Sequence, residues 1–98
     1  MFKEFNKADP EDIKSWLELL EITCRTTGER IEEIQSTLPD VEMRRPFNAG
    51  YTGRGGVPFT ARGQKYVNFP LVYDNLVWVG YAPRNQCEIA VRPQERNW

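Results

Sequence analysis

The period of the apolar residues changes once along this chain, and that change sets the fold class. From residue 13 to residue 38 the apolar positions are Ile13, Leu17, Leu20, Cys24, Thr27, Ile31, Ile34 and Leu38, spaced alternately by four and three. That is the spacing of one face of a helix. From Val57 onward the spacing becomes two, as in half-buried strands. Between the two regimes lie Pro39, Pro46, Gly50, Gly53, Gly55 and Gly56, which punctuate a loop. The order predicts an α+β domain with an N-terminal helix followed by an antiparallel meander.

Asp9-Pro10-Glu11-Asp12 reads as a helix start, with Asp9 as cap, Pro10 at the first helical position and acids at the positive end of the dipole. Pro39 ends the element, because the residue before a proline is pushed out of the α region. The unbroken period favours one long amphipathic helix over about residues 10–37. The competing reading breaks it at Thr26-Thr27-Gly28, with Gly28 as a C-cap. Residues 1–8 form a polar lead, 39–56 the Gly/Pro/Arg-rich loop, 57–93 a three- or four-stranded sheet and 94–98 a tail, all within a single domain over 1–98. Strands are predicted at Val57–Ala61, Tyr66–Tyr73, Leu76–Ala82 and Cys87–Val91, with turns at Arg62-Gly63-Gln64 and Asp74-Asn75. Pro70 argues for a bulge or an edge. Leu76–Ala82 is apolar on both faces and is expected to be central.

Charge is divided between the two halves. Residues 1–42 hold eleven acids and five bases, a net of −6, and residues 43–98 hold three acids and eight bases, a net of +5. Glu18, Glu21, Glu29, Glu32 and Glu33 make the outer face of the helix acidic. No acid occurs between Met43 and Tyr73, where Arg44, Arg45, Arg54, Arg62 and Lys65 alternate with aromatics including Phe47 and Tyr51. Such a segment can meet phosphates, an acidic protein or the chain's own acidic half. The Gly-Arg-Gly-Gly run at 53–56 lacks the Gly-Lys-Ser/Thr that completes a phosphate loop, so its glycines read first as turn residues.

Catalysis finds little support. Histidine is absent, which removes the commonest general base and transition-metal ligand, and neither Cys24 nor Cys87 has a base nearby in sequence. No catalytic residue, metal site or cofactor is therefore assigned. Two cysteines so far apart read as reduced thiols in a cytoplasmic protein. Neither a secretory h-region after Met1 nor an 18-residue apolar run is present, so no membrane association is expected.

These features point to a small non-enzymatic protein-interaction module, such as an inhibitor, adaptor or regulatory protein. Another protein is the expected partner, bound through Glu18, Glu21, Glu29, Glu32 and Glu33, through the basic aromatic loop (Arg44, Arg45, Phe47, Tyr51, Arg54, Arg62, Lys65), or both. The alternative is a nucleic-acid-binding domain that uses residues 44–66. A homodimer through a seam of Leu17, Leu20, Ile31 and Ile34 is the third expectation.

Overall fold

The first helix stops at Gly28. A computed structural model of the protein describes residues 10–50, 56–85 and 89–98. Helix α1 spans Trp16–Thr27. Ser15 caps it in the extended region, its side chain accepting from the Glu18 amide at 3.2 Å. Gly28, at φ 79°, closes it in the left-handed region, with its amide donating to the Cys24 carbonyl at 2.8 Å. A glycine there avoids the Cβ clash of that conformation. The long helix expected over 10–37 is thus replaced by twelve helical residues. Pro10–Asp12 form a single 3₁₀ turn and Ile13–Lys14 are extended as β1. The Ser-x-x-Glu signature at 15–18 outcompetes Asp9-Pro10 as the start signal. The reading with Gly28 as C-cap is the one the chain adopts.

After Gly28 the chain returns along α1 through a 3₁₀ turn at Ile31–Glu33, strand β2 at Gln35–Ser36 and a short helix α2 at Asp40–Met43. Strand β3 is Phe47–Asn48, β4 Ala61–Arg62, β5 Tyr66–Tyr73 and β6 Leu76–Pro83. Two antiparallel sheets result, a ribbon of β1 with β3 and a four-stranded sheet in the order β2-β4-β5-β6. The α+β class holds. The sheet is a meander from β4 to β6, but its other outer strand comes from residues inside the span first read as helix. Residues 57–60 carry no strand pairing, although a strand was expected over Val57–Ala61, and the pairing begins at Ala61 and runs through Arg62, the first residue of the expected turn. Cys87 and Glu88, in the predicted last strand, and the lead at 1–8 lie outside the described residues, and 89–91 are not in a strand.

β5 and β6 form a hairpin in the predicted place. Asp74 and Asn75 both have positive φ (53° and 63°), as a two-residue turn of matching twist requires. The register pairs Tyr73 with Leu76 and runs to Tyr66 with Pro83. Pro70 falls opposite Val79 beyond the end of β4, so its missing N–H faces an unpaired edge.

β6 is an outer strand rather than the central one expected, yet Val77, Trp78, Val79 and Gly80 are all buried. Side chains and loops supply what a neighbouring strand would. The Val77 amide donates to the Ala49 carbonyl at 3.0 Å. The Val77 carbonyl accepts from Trp98 Nε1 at 2.6 Å, and that of Val79 from Thr23 Oγ1 at 2.6 Å. Asn97 Nδ2 in turn donates to Thr23 Oγ1 at 3.0 Å. The tail therefore folds back onto the sheet.

The core lies between α1 and the sheet. It joins Trp16, Leu19, Leu20 and Cys24 of α1 to Met43, Ala49, Phe59, Ala61, Val77 and Val79. Trp16 is buried within it. Its ring meets Phe47 at 4.6 Å and Phe59 at 4.7 Å between centroids, and Nε1 donates to the Val57 carbonyl at 2.8 Å. Gly56 permits this close approach, since a Cβ there would run into the indole. Among the described residues no helix is long and apolar enough to cross a membrane.

Candidate functional site

The return of the chain at Gly28 folds the apolar seam in two. Leu17 and Leu20 stay on α1, while Ile31 and Ile34 come back beside them from the following segment. Together with Leu38 and Met43 they line a groove of about 240 Å³. Leu20 and Met43 are its buried floor, and Leu17, Ile31, Ile34 and Leu38 are half-buried walls packed against the core. The four residues read as a dimer seam are brought together, but as the walls of one depression and not as a stripe along one helix. Met43 was missed by sequence reasoning. The signal was Pro39 followed by Asp40 and Glu42, the start of another helix.

A second depression, of about 340 Å³, opens from the same Ile31. Glu21, Cys24, Arg25, Gly28 and Glu29 complete its lining. Burial pushes the Cys24 thiol up, and the carboxylates of Glu29, Glu21 and Glu32 push it further, to about 11. Two of the five acids read as one helix face, Glu21 and Glu29, therefore line one depression, although Glu29 lies beyond the helix. Cys24 itself is a free thiol. Among the described residues no group of three His, Cys, Asp or Glu side chains is placed to hold a metal ion.

The acids differ in how far the fold already uses them. Among the described residues Glu18 and Glu21 make no ion pair, and both are exposed. Glu32 and Glu33 sit 3.6 and 3.9 Å from Arg30 Nε in exposed pairs, a class worth about 0–1 kcal/mol each. Glu33 also accepts from Gln64 Nε2 at 3.1 Å. Glu29 is half-buried, and its Oε2 accepts from the Lys65 amide at 2.9 Å. Glu29 and Glu33 thus clamp the 63–65 turn of the sheet to the end of α1. Arg84 holds the other side of that turn through the Gly63 carbonyl at 2.9 Å.

The basic segment is spent largely on local partners. Arg44 Nε meets Asp40 at 2.7 Å and Arg45 meets Glu42 at 2.8 Å, each within one turn of α2. Phe47 stacks on Trp16. Arg62 donates to Gln35 Oε1 at 2.9 Å across the β2–β4 pair. Lys65 enters through its backbone amide. Tyr51 and Arg54 lie outside the described residues.

The chain matches no protein-family model, no curated protein and no solved structure. Two adjoining depressions meet at Ile31, one apolar and one acidic. The unpaired carboxylates Glu18 and Glu21 stand on the helix that walls both. The arrangement offers apolar contact and negative charge side by side.

Proposed function

We propose that this chain is a small non-enzymatic protein-interaction module, an inhibitor, adaptor or regulatory protein. It binds another protein through the acidic surface of α1 and the segment that follows. The observation that carries this reading is that Glu21 and Glu29 line one depression with Cys24 and Ile31, next to the groove between Leu17 and Ile34. Surface carboxylates of this kind set specificity and on-rate more than affinity. Arg44, Arg45 and Arg62 support a nucleic-acid reading less, because each already has a partner in its own chain. The free Cys24 fits a reducing, cytoplasmic setting.

The test is capture of partners from lysate by the tagged chain at ~0.15 M ionic strength, where surface charges act over about 8 Å. Wild type is compared with a Glu18→Lys/Glu21→Lys variant, with and without nuclease. One stoichiometric protein that survives nuclease and is lost by charge reversal is the expected result. Capture that disappears with nuclease, or is indifferent to the charge reversal, overturns the reading.

A further inference from the structure

We infer that the groove between α1 and residues 31–43 seats one bulky apolar side chain of a partner segment whose flanking residues are Lys or Arg, those cations lying along the acidic depression that opens from Ile31. This rests on the interaction reading and names the chemistry of the partner.

The size of the groove comes first. About 240 Å³ is below the usual range of small-molecule pockets, roughly 300–1,000 Å³, and far too small for a helix face. It matches a single Leu, Met or Phe side chain. Six of the eight lining residues are Leu, Ile or Met, Ser36 and Asp40 are the polar ones, and Asp40 is the one charged group. An apolar anchor is thus favoured by loss of water from both surfaces.

Charge sets the flanks. Ile31 is common to both depressions, so a chain anchored in the first is within one residue or two of the second. Glu21 and Glu29 line that second depression, and Glu32 lies near enough to act on the same thiol. Arg25 lines it too, and Arg30 is turned toward Glu32 and Glu33. Two arginines against Glu18, Glu21, Glu29, Glu32 and Glu33 leave the surface negative, Asp40 being paired with Arg44. A partner with acidic flanks would be repelled, and a neutral one would leave the field unused.

Among the described residues, the exposed apolar side chains of a second copy do not fit the description. Val72 and Tyr73 adjoin Asp74, Val41 lies between Asp40 and Glu42, and Val57 lies between Gly56 and Pro58 with no adjacent cation. Ile13 adjoins Lys14, but that ammonium donates to the Glu11 carbonyl at 2.7 Å and lies 5.1 Å over the Trp98 ring. Phe47, near Arg44 and Arg45, is committed to Trp16.

The experiment titrates the full chain with three short peptides and follows its Leu and Ile methyl signals by NMR. The first peptide carries one Leu flanked by Arg in a Gly/Ser background, the second has that Leu replaced by Ala, and the third has the Arg residues replaced by Gln. The expected result is movement of the Leu17, Ile31 and Ile34 methyls by the first peptide. Either replacement weakens binding about tenfold, and so does Glu21→Gln on the protein, an exposed position whose change leaves the fold intact. Equal binding of the first two peptides overturns the anchor, and equal binding of the first and third overturns the charge pairing. Absence of binding by the first peptide overturns the inference as a whole. A partner captured from lysate through Glu18 and Glu21 under that last outcome leaves the interaction reading standing, while failure of both experiments removes both.

Discussion

The side-chain amide of Gln94 pairs with the backbone of Tyr81 as a neighbouring strand would. The Tyr81 amide donates to Gln94 Oε1 at 2.9 Å, and Gln94 Nε2 donates to the Tyr81 carbonyl at 2.6 Å. Gly80 makes the approach possible, because a Cβ there would crowd both Leu71 and Gln94 Oε1. With Thr23, Ala49 and Trp98, this amide closes the outer edge of β6. Open strand edges template pairing with other chains.

Gln94→Ala should therefore do two things. It should destabilise the fold by about 1–3 kcal/mol, the cost of two part-buried hydrogen bonds. It should also raise the tendency to self-associate, since the Tyr81 edge becomes available. Urea unfolding gives the first and sedimentation at rising concentration the second. Gln94→Glu keeps the size but puts a carboxylate oxygen against the Tyr81 carbonyl, and it should be no better than Ala. A Glu variant as stable as wild type would show that the bidentate pairing is not what Gln94 contributes.

Gly28 separates the two helix readings by the sign of one measurement. In the interior of a long helix, Gly28→Ala would stabilise by about 1 kcal/mol. At φ 79°, where no other atom would obstruct a Cβ, the same change should destabilise by about 1–2 kcal/mol through backbone strain alone. Gly28→Asn should fall between, as Asn tolerates the left-handed region better. Thermal unfolding of the three proteins decides it.

That position also shows how far the sequence could be read. The apolar period at Leu17, Leu20, Ile31 and Ile34 is real, and all four residues reach one surface. Periodicity records which residues are buried on a common side, and a chain that turns back on itself meets that demand as well as a straight helix does. The hairpin at 66–83 and its turn at Asp74-Asn75 were legible because strand alternation and turn chemistry are both local. The β2–β4 pair was not, because Gln35–Ser36 is too short to show a period and its partner is distant in sequence. The edge position of β6 was hidden for a related reason. Buried on both faces reads as central, and the substitutes for a neighbouring strand come from residues as far apart as Thr23 and Trp98. At the site, the acids were visible as a charge excess, but only the turn at Gly28 brings Glu29 and Glu32 beside Glu21.

Cys24 should report those carboxylates through pH. In a chain carrying Cys87→Ser, so that one thiol reacts, alkylation should be slow near neutral pH. The rate should rise about tenfold per pH unit until the thiol titrates, near 11. Glu29→Gln should shift that profile to lower pH by removing the largest of the three carboxylate effects, leaving burial and two carboxylates. For stability the sign is fixed by the raised value. The folded state holds the proton more tightly than the unfolded chain, whose thiol titrates near 9.0. The stabilisation is full below about pH 9 and is lost as pH rises through about 11, by roughly 2–3 kcal/mol in all. Cys24→Ala should flatten that part of the curve relative to wild type. Parallel curves would mean that neither burial nor the acids raise the thiol.

The clamp between Glu29 and the 63–65 turn ties the end of α1 to the sheet, and it can be tested by coupling. Gly63 is buried and packs directly on the Glu29 carboxylate, so a Cβ there has no room while that carboxylate stays in place. Gly63→Ala should push Glu29 away from the Lys65 amide and cost about 1–3 kcal/mol, the loss of a charge-assisted bond to a part-buried amide. Glu29→Ala alone should cost a similar amount, because it removes the same bond from the other side. Combined, the two changes should cost clearly less than their sum, with a coupling of about 1 kcal/mol or more, as for residues in direct contact. Urea unfolding of the four proteins closes the cycle. Additive costs would mean that Gly63 and Glu29 act on the fold independently, and the turn would then be held by Arg84 and Gln64 rather than by Glu29.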